Sequence, residues 1–265
     1  MNKIITHETA VDVCALKPEL RQIAKKLSTF PLGQFLLKNR GLNGKWTSYL
    51  IHTTTSENVT ENQLLSRSPV ILATRERFDI FQKQLMKYLK PKTVVASIPC
   101  GVMDDLLTLP QVPKDTVFLG CDLDAESLGE VGKRLLVGQN VQLLRQDAWD
   151  LGIDKSFDII VSNGLNIYEE DDERVTDLYR NFYKALKSGG VLITSFLTPK
   201  DAWHDYNSED LAWQKTIFVD ILQVKWQSLR SEEITREQLK SAGFEVLDVI
   251  YDKQGMFPTI VARKR

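Results

Sequence analysis

The chain has 265 residues, 43% of them hydrophobic and 9% aromatic, with a formal net charge of -1. This length and composition suit one large domain, or one domain with a sizeable extension, and exclude disorder as the dominant state. The neutral total hides two opposed halves: residues 1–92 carry 15 basic against 7 acidic side chains, or +8, and residues 93–265 carry 19 against 28, or -9.

Residues 1–92 read as helices joined by polar loops. Candidate helices span 18–27, 32–37 and 75–89, the last with Phe78, Phe81, Leu85 and Leu89 at spacings of three and four that place them on one face. The stretch 42–70 between them, rich in Thr, Ser and Asn and ending near Pro69, reads as a long irregular or partly helical connection.

From Thr93 the pattern changes to short β-branched runs alternating with amphipathic segments. Strands are predicted over 93–98, 116–122, 141–147, 157–163, 190–197, 244–251 and 257–264. The first five follow the grammar of a parallel sheet with helices on both faces. Only five residues separate the last two runs, too few for a parallel crossover, so these predict an antiparallel hairpin.

In open α/β sheets ligands bind beyond the carboxyl ends of the strands. The residues following each run therefore carry the functional expectation. Gly101 falls in the turn after the first run, within Ser97–Leu109. Asp122 closes the second, where a carboxylate offers two oxygens to vicinal ribose hydroxyls. Asp147 closes the third, with Trp149 beside it to flank a ring, and the fourth is followed by a polar loop containing Asn163, Asn166 and Tyr168.

In their order, these motifs over residues 93–265 resemble the class I S-adenosylmethionine-dependent methyltransferases. The resemblance implies a Rossmann-like, doubly wound seven-stranded sheet whose last strand runs antiparallel. It also implies S-adenosylmethionine as cofactor and S-adenosylhomocysteine as product. On the matching positions, Asp122 and Leu123 would serve the ribose, Asp147 and Ala148 the adenine, and Ser162 and Asn163, with Gly164, the methionine part. The first motif departs from the family's D/E-x-G-x-G-x-G pattern. Its aligned positions are Ser97, Pro99, Gly101 and Met103, so only the middle glycine remains. A dinucleotide site is disfavoured by the same loop, which lacks the GxGxxG needed to seat a pyrophosphate.

The resemblance divides the chain into an N-terminal helical extension or lid, 1–92, and a methyltransferase domain, 93–265. Within the latter, 198–230 is a possible substrate cover containing Trp203, His204, Tyr206, Trp213 and Trp226. The competing reading of that segment is a helix, with Trp213, Ile217, Ile221 and Val224 inward, that covers exposed sheet or the N-terminal helices. Trp46 and Tyr49 carry the same ambiguity in the lid. Asn166, Tyr168, Trp203 and His204 are the substrate-binding candidates, and no catalytic base is assignable.

No metal site is expected: His7, His52 and His204 are scattered, and the acidic run Glu169–Glu173 reads as the start of a helix. Three irregularly spaced cysteines, Cys14, Cys100 and Cys121, read as reduced thiols. With no signal-like or membrane-spanning apolar run, a cytoplasmic protein with no membrane contact is expected. The near-neutral charge and polar fourth loop favour a small-molecule acceptor over nucleic acid. The expected activity is methyl transfer by in-line displacement; the alternative is a methyltransferase-like binding or scaffold protein that has lost turnover.

Overall fold

The computed structural model describes residues 10–135, 140–224 and 228–265. His7 and Trp226 lie outside the described residues. The chain opens with five helices: α1 (Pro18–Leu27), α2 (Pro31–Asn39), α3 (Gly44–His52), α4 (Val59–Arg67) and α5 (Pro69–Tyr88). The polar connection expected over 42–70 contains α3 and α4, each started by an asparagine. Asn43 Oδ1 accepts the Trp46 amide, and Asn58 Oδ1 accepts the Thr60 and Glu61 amides. Pro69 begins α5 instead of ending a loop, because proline at the first helical position forfeits only an amide that has no intrahelical partner.

The strands and further α-helices are β1 (Val94–Ser97), α6 (Asp104–Leu107), β2 (Val117–Asp122), α7 (Ala125–Arg134), β3 (Val141–Arg145), β4 (Phe157–Ser162), α8 (Asp172–Ala185), β5 (Leu186–Ser195), α9 (Ser208–Lys215), α10 (Glu232–Ser241), β6 (Phe244–Ile250) and β7 (Thr259–Lys264), with short helical turns at Asn166–Tyr168 and Lys200–Ala202 and a π-helical continuation of α9 at Thr216–Ile221. Among the described residues the strands form one seven-stranded sheet, ordered β3-β2-β1-β4-β5-β7-β6. β1 to β5 pair in parallel, and β7 lies antiparallel between β5 and β6. The strand expected from Phe257 begins two residues later. The Asp252 carboxylate takes the amides of Gln254, Met256 and Phe257, curling the chain before Pro258, which has no amide to give a ladder.

Alternation along the central strands divides the core. Val95, Ile159, Val161, Ile193 and Val261 pack on one face with Phe81 and Leu85 of α5. Ala96, Ile160, Leu192 and Ala262 pack on the other with Leu178 and Phe182 of α8. A third cluster joins Leu27, Leu36, Leu64 and Leu65 of the N-terminal helices to Ile217, Ile221 and Val224 of the 198–230 segment. Trp203 and Trp213 pack against it half-buried, so here the segment serves the packing role. The N-terminal helices and this insertion thus share one core.

Arg75 ties that cover to the sheet. Its guanidinium donates to the carbonyls of Leu50 at 2.8 Å, Thr53 at 2.6 Å and Leu65 at 2.6 Å, closing the C-terminal end of α3 and part of α4 onto α5. Arg75→Met should cost about 2 kcal/mol, because it deprives three half-buried carbonyls of their donor. Urea unfolding with an unchanged m-value checks this, and a loss below about 0.5 kcal/mol would count against the clamp.

Candidate functional site

The carboxyl ends of β1, β2, β3 and β4 open into a cavity of about 620 Å3, roofed by α3 and α5. Pro99 and Gly101 line it from the first loop, Asp122 and Leu123 from the second, Asp147 and Ala148 from the third, and Asn163 and Tyr168 from the fourth.

Asp122 is held from two sides. The Gly101 amide donates to its Oδ2 at 2.8 Å and the Asp124 amide to its Oδ1 at 2.9 Å. Burial raises its pKa, while these amides pull the other way. A carboxylate has about four acceptor positions, so each oxygen still has one for a ligand hydroxyl. Asp147 is exposed and fixed by the Trp149 amide at 2.9 Å on its Oδ1. The Trp149 indole is anchored in turn to the Arg174 carbonyl at 2.8 Å.

The first loop accommodates Met103 by turning its side chain into the core, while Pro99 stays at the cavity. Met103 is wholly buried in the core below the loop, at φ 63°. Gly101 adopts φ 51°, and its backbone packs directly against Gly44 at the start of α3. Ser97, standing where the family pattern has an acid, donates its hydroxyl to Asp105 Oδ2 at 2.7 Å. Asp105 lines the cavity, so α6 supplies a carboxylate close to the position where the strand lacks one. Burial raises its pKa to about 7; neighbouring Asp104 raises it further, and the Ser97 hydroxyl opposes both. Asp104 itself is buried between Arg134, at 2.7 Å, and His52, at 3.2 Å.

Five sequence candidates do not line the cavity. Ser97 lies beneath Asp105. Ser162 is buried within β4, where its carbonyl accepts the Thr194 hydroxyl at 3.1 Å. Asn166 is turned inward, donating to the Tyr179 hydroxyl oxygen at 2.9 Å. Trp203 donates its indole N–H to Thr198 Oγ1 at 3.0 Å within the cover. His204 sits beside Gly255 with Nδ1 2.9 Å from the Ala202 carbonyl. Trp46 and Tyr49 face a separate 380 Å3 cavity on the outer side of α3. The other side of that helix, Gly44, Thr47 and Ile51, faces the main cavity at helical spacing, and Ser48 borders both cavities.

The acidic run has a structural role. Asp171 Oδ1 accepts the amides of Glu173 and Arg174 at the start of α8. Among the described residues no group of three His, Cys, Asp or Glu side chains is arranged to hold a metal. Cys100 is buried with Asp122 and Asp105 nearby, and both effects hold its thiol protonated. No helix among the described residues is long and apolar enough to cross a membrane.

Three contributors carry no local sequence signal. Asp105 sits in a helix of only four residues. Arg230, from the far end of the insertion, donates to Asp172 Oδ1 at 2.7 Å and to the carbonyls of Asn166 at 3.0 Å and Glu169 at 2.7 Å, which fixes the fourth loop. Arg77 of α5 enters the cavity from the roof. The positive excess of residues 1–92 was the sole hint of it.

A family model described as a methyltransferase domain matches residues 95–190. The crystal structure of a possible exported protein from Bordetella parapertussis is similar at a TM-score of 0.87 and 42% identity, covering 93% of this chain and 86% of that one. Magnesium protoporphyrin IX methyltransferase from Synechocystis PCC 6803, solved with bound S-adenosylhomocysteine, is similar at a TM-score of 0.61 and 16% identity, covering 84% of this chain and 94% of that one. Among curated proteins, carboxy-S-adenosyl-L-methionine synthase from Campylobacter hominis is 24% identical over 231 residues, 78% of this chain and 93% of its own length.

Proposed function

We propose that this chain, whose residues 95–190 match a methyltransferase domain, binds S-adenosylmethionine in the cavity along the sheet's carboxyl edge and transfers the methyl group to a small-molecule acceptor. The observation that carries this reading is the Asp122 carboxylate, held by two loop amides at the end of β2 with acceptor capacity left over inside a cavity of ligand size.

Asp122 would take the ribose hydroxyls, Asp147 and Ala148 would frame the adenine, and Asn163 would face the amino-acid end, with its Oδ1 buried and unpartnered. When bound, the cofactor supplies an electrophilic methyl on a sulfonium. The chain's own contribution is to orient donor and acceptor and to exclude water, for which the α3 and α5 roof is suited. Of the polar candidates Asn166, Tyr168 and His204, Tyr168 lines the cavity, while Asn166 donates to the Tyr179 hydroxyl oxygen and the exposed His204 lies against the Ala202 carbonyl. Asp105 would pair with the donor's ammonium group.

S-adenosylhomocysteine should raise the melting temperature, and methyl-labelled cofactor incubated with a small-molecule extract should release labelled product. No thermal shift at millimolar ligand would overturn the binding assignment. Binding without turnover in any extract would favour the scaffold reading.

Asp105 makes the binding pH-dependent. Its folded pKa, about 7, lies above the ordinary 3.8. Ionising it costs folding stability, so its contribution is full below pH ~4 and is lost as pH rises toward 7. A ligand ammonium favours the ionised carboxylate, so S-adenosylhomocysteine affinity should rise between pH ~5 and 7 and then level off. In Asp105→Asn the rise should flatten, as read by calorimetry at each pH. An identical slope in the variant would remove Asp105 from the site.

A further inference from the structure

Arg77 is 6% exposed. Among the described residues its Nε and Nη1 are buried with no hydrogen-bond partner. Burying a cation without hydrogen bonds is costly, so a guanidinium in this state wants an anion that the described residues do not supply. Its surroundings supply packing and the electrostatic influence of Asp252 and of Tyr168, which also lines the cavity. The Phe257 ring lies 4.3 Å from the guanidinium carbon, and an added Cβ at Gly164 would stand 3.3 Å from Nη1. The Asp252 carboxylate attracts it electrostatically but is occupied by three amides of its own loop. Burial lowers the Arg77 pKa to about 10, which leaves it charged at neutral pH.

Its location decides what it could meet. Gly164 follows β4, and Phe257 precedes β7, whereas Asp122 and Asp147 follow β2 and β3 on the other side of β1. Strands lie about 4.8 Å apart, so two spacings, roughly 10 Å, separate the β2 end from the β4 end. Arg77 therefore marks the end of the cavity away from the proposed nucleoside position. Among the described lining residues it is the one Lys or Arg, while the ionisable acids are Asp104, Asp105, Asp122, Asp124, Asp147 and Glu169. An anionic ligand has one favourable place in such a cavity.

We propose that the methyl acceptor carries a carboxylate and docks it on the Arg77 guanidinium at the β4 end of the cavity. A planar fork of N–H donors matches a carboxylate in two parallel hydrogen bonds, which a lysine would not reproduce. This assignment rests on the methyl-transfer reading and names the acceptor's chemical class.

The test uses the full chain, calorimetry and thermal shift, with three probes: S-adenosylhomocysteine, methylthioadenosine (the same nucleoside thioether without an amino-acid end) and benzoate. Benzoate should bind the wild-type protein saturated with S-adenosylhomocysteine. In Arg77→Met that binding should fall at least tenfold, and Arg77→Lys should recover only part of it. S-adenosylhomocysteine affinity should stay within about twofold in both variants. The ligand-free Met variant should melt no lower than wild type, because it removes an unpaired buried cation; a clear fall would mark Arg77 as a packing residue and overturn the proposal. Loss of S-adenosylhomocysteine affinity in Arg77→Met with methylthioadenosine unchanged would assign the guanidinium to the donor's own carboxylate, which also overturns it. Benzoate failing to bind at tens of millimolar, with S-adenosylhomocysteine bound, would overturn the acceptor assignment alone. Failure of S-adenosylhomocysteine itself to bind would instead strike the methyltransferase reading.

Discussion

Replacing Asp122 by asparagine is expected to weaken S-adenosylhomocysteine binding on the order of a hundredfold, since two hydrogen bonds to a charged acceptor contribute about 3 kcal/mol together. An asparagine keeps the shape of the side chain but offers one acceptor oxygen where the aspartate offers two. The Gly101 and Asp124 amides would compete for it, so one loop amide would face an NH2 group. The ligand-free protein should therefore also lose about 1 kcal/mol of stability. A cycle pairing this variant with a 2′-deoxy analogue of S-adenosylhomocysteine separates the two effects. If the carboxylate receives the ribose hydroxyls, the analogue's penalty on the wild type should largely vanish on the variant. Full additivity would leave Asp122 as a loop brace with no ligand to hold. Because burial raises the Asp122 pKa, affinity should also fall on acidification earlier than an ordinary aspartate would dictate.

The fold was largely legible because its signals are local. Uninterrupted β-branched runs encode strands covered on both faces, and the five-residue gap after Tyr251 permits only an antiparallel pairing. Insertion of β7 between β5 and β6 depends on which edges remain free, and the order of motifs carried that information. The cavity was legible where a side chain closes a strand, as with Asp122, Asp147 and Asn163. Where the position depends on packing between distant segments, it was not. His204 and Trp203 look chemical in sequence, but the fold sets the Trp203 indole on Thr198 and His204 Nδ1 beside the Ala202 carbonyl, away from the cavity lining. Arg77 looks like one exposed charge on an amphipathic helix, yet it is buried because α5 lies between the sheet and the cover. Asp105 could not be separated from Asp104 until the fold paired one with Ser97 and the other with Arg134.

The substituted first motif points to Gly44 as the second residue of large effect. A Cβ there would stand 2.5 Å from Gly101 Cα and 2.8 Å from its carbonyl carbon, and 2.9 Å from Ser127 Oγ. Two of these three atoms belong to backbone, which cannot rotate aside. Gly101 is doubly constrained, by its φ of 51° and by a Cβ position only 3.1 Å from Gly44 Cα. The surviving glycine of the motif is thus the one against which the start of α3 packs. Gly44→Val should push α3 off the loop at a cost of about 3 kcal/mol, the upper end of ordinary overpacking. It should also reduce S-adenosylhomocysteine affinity more than tenfold, because the Gly101 amide that positions Asp122 moves with the loop. Gly129→Ala is the matched control: a Cβ there meets nothing within 4 Å, and alanine in a helix should gain about 0.5 to 1 kcal/mol. Chemical denaturation and calorimetry on the two variants decide the point. If Gly44→Val loses stability while binding the ligand as tightly as wild type, the roof packs on the loop without shaping the site.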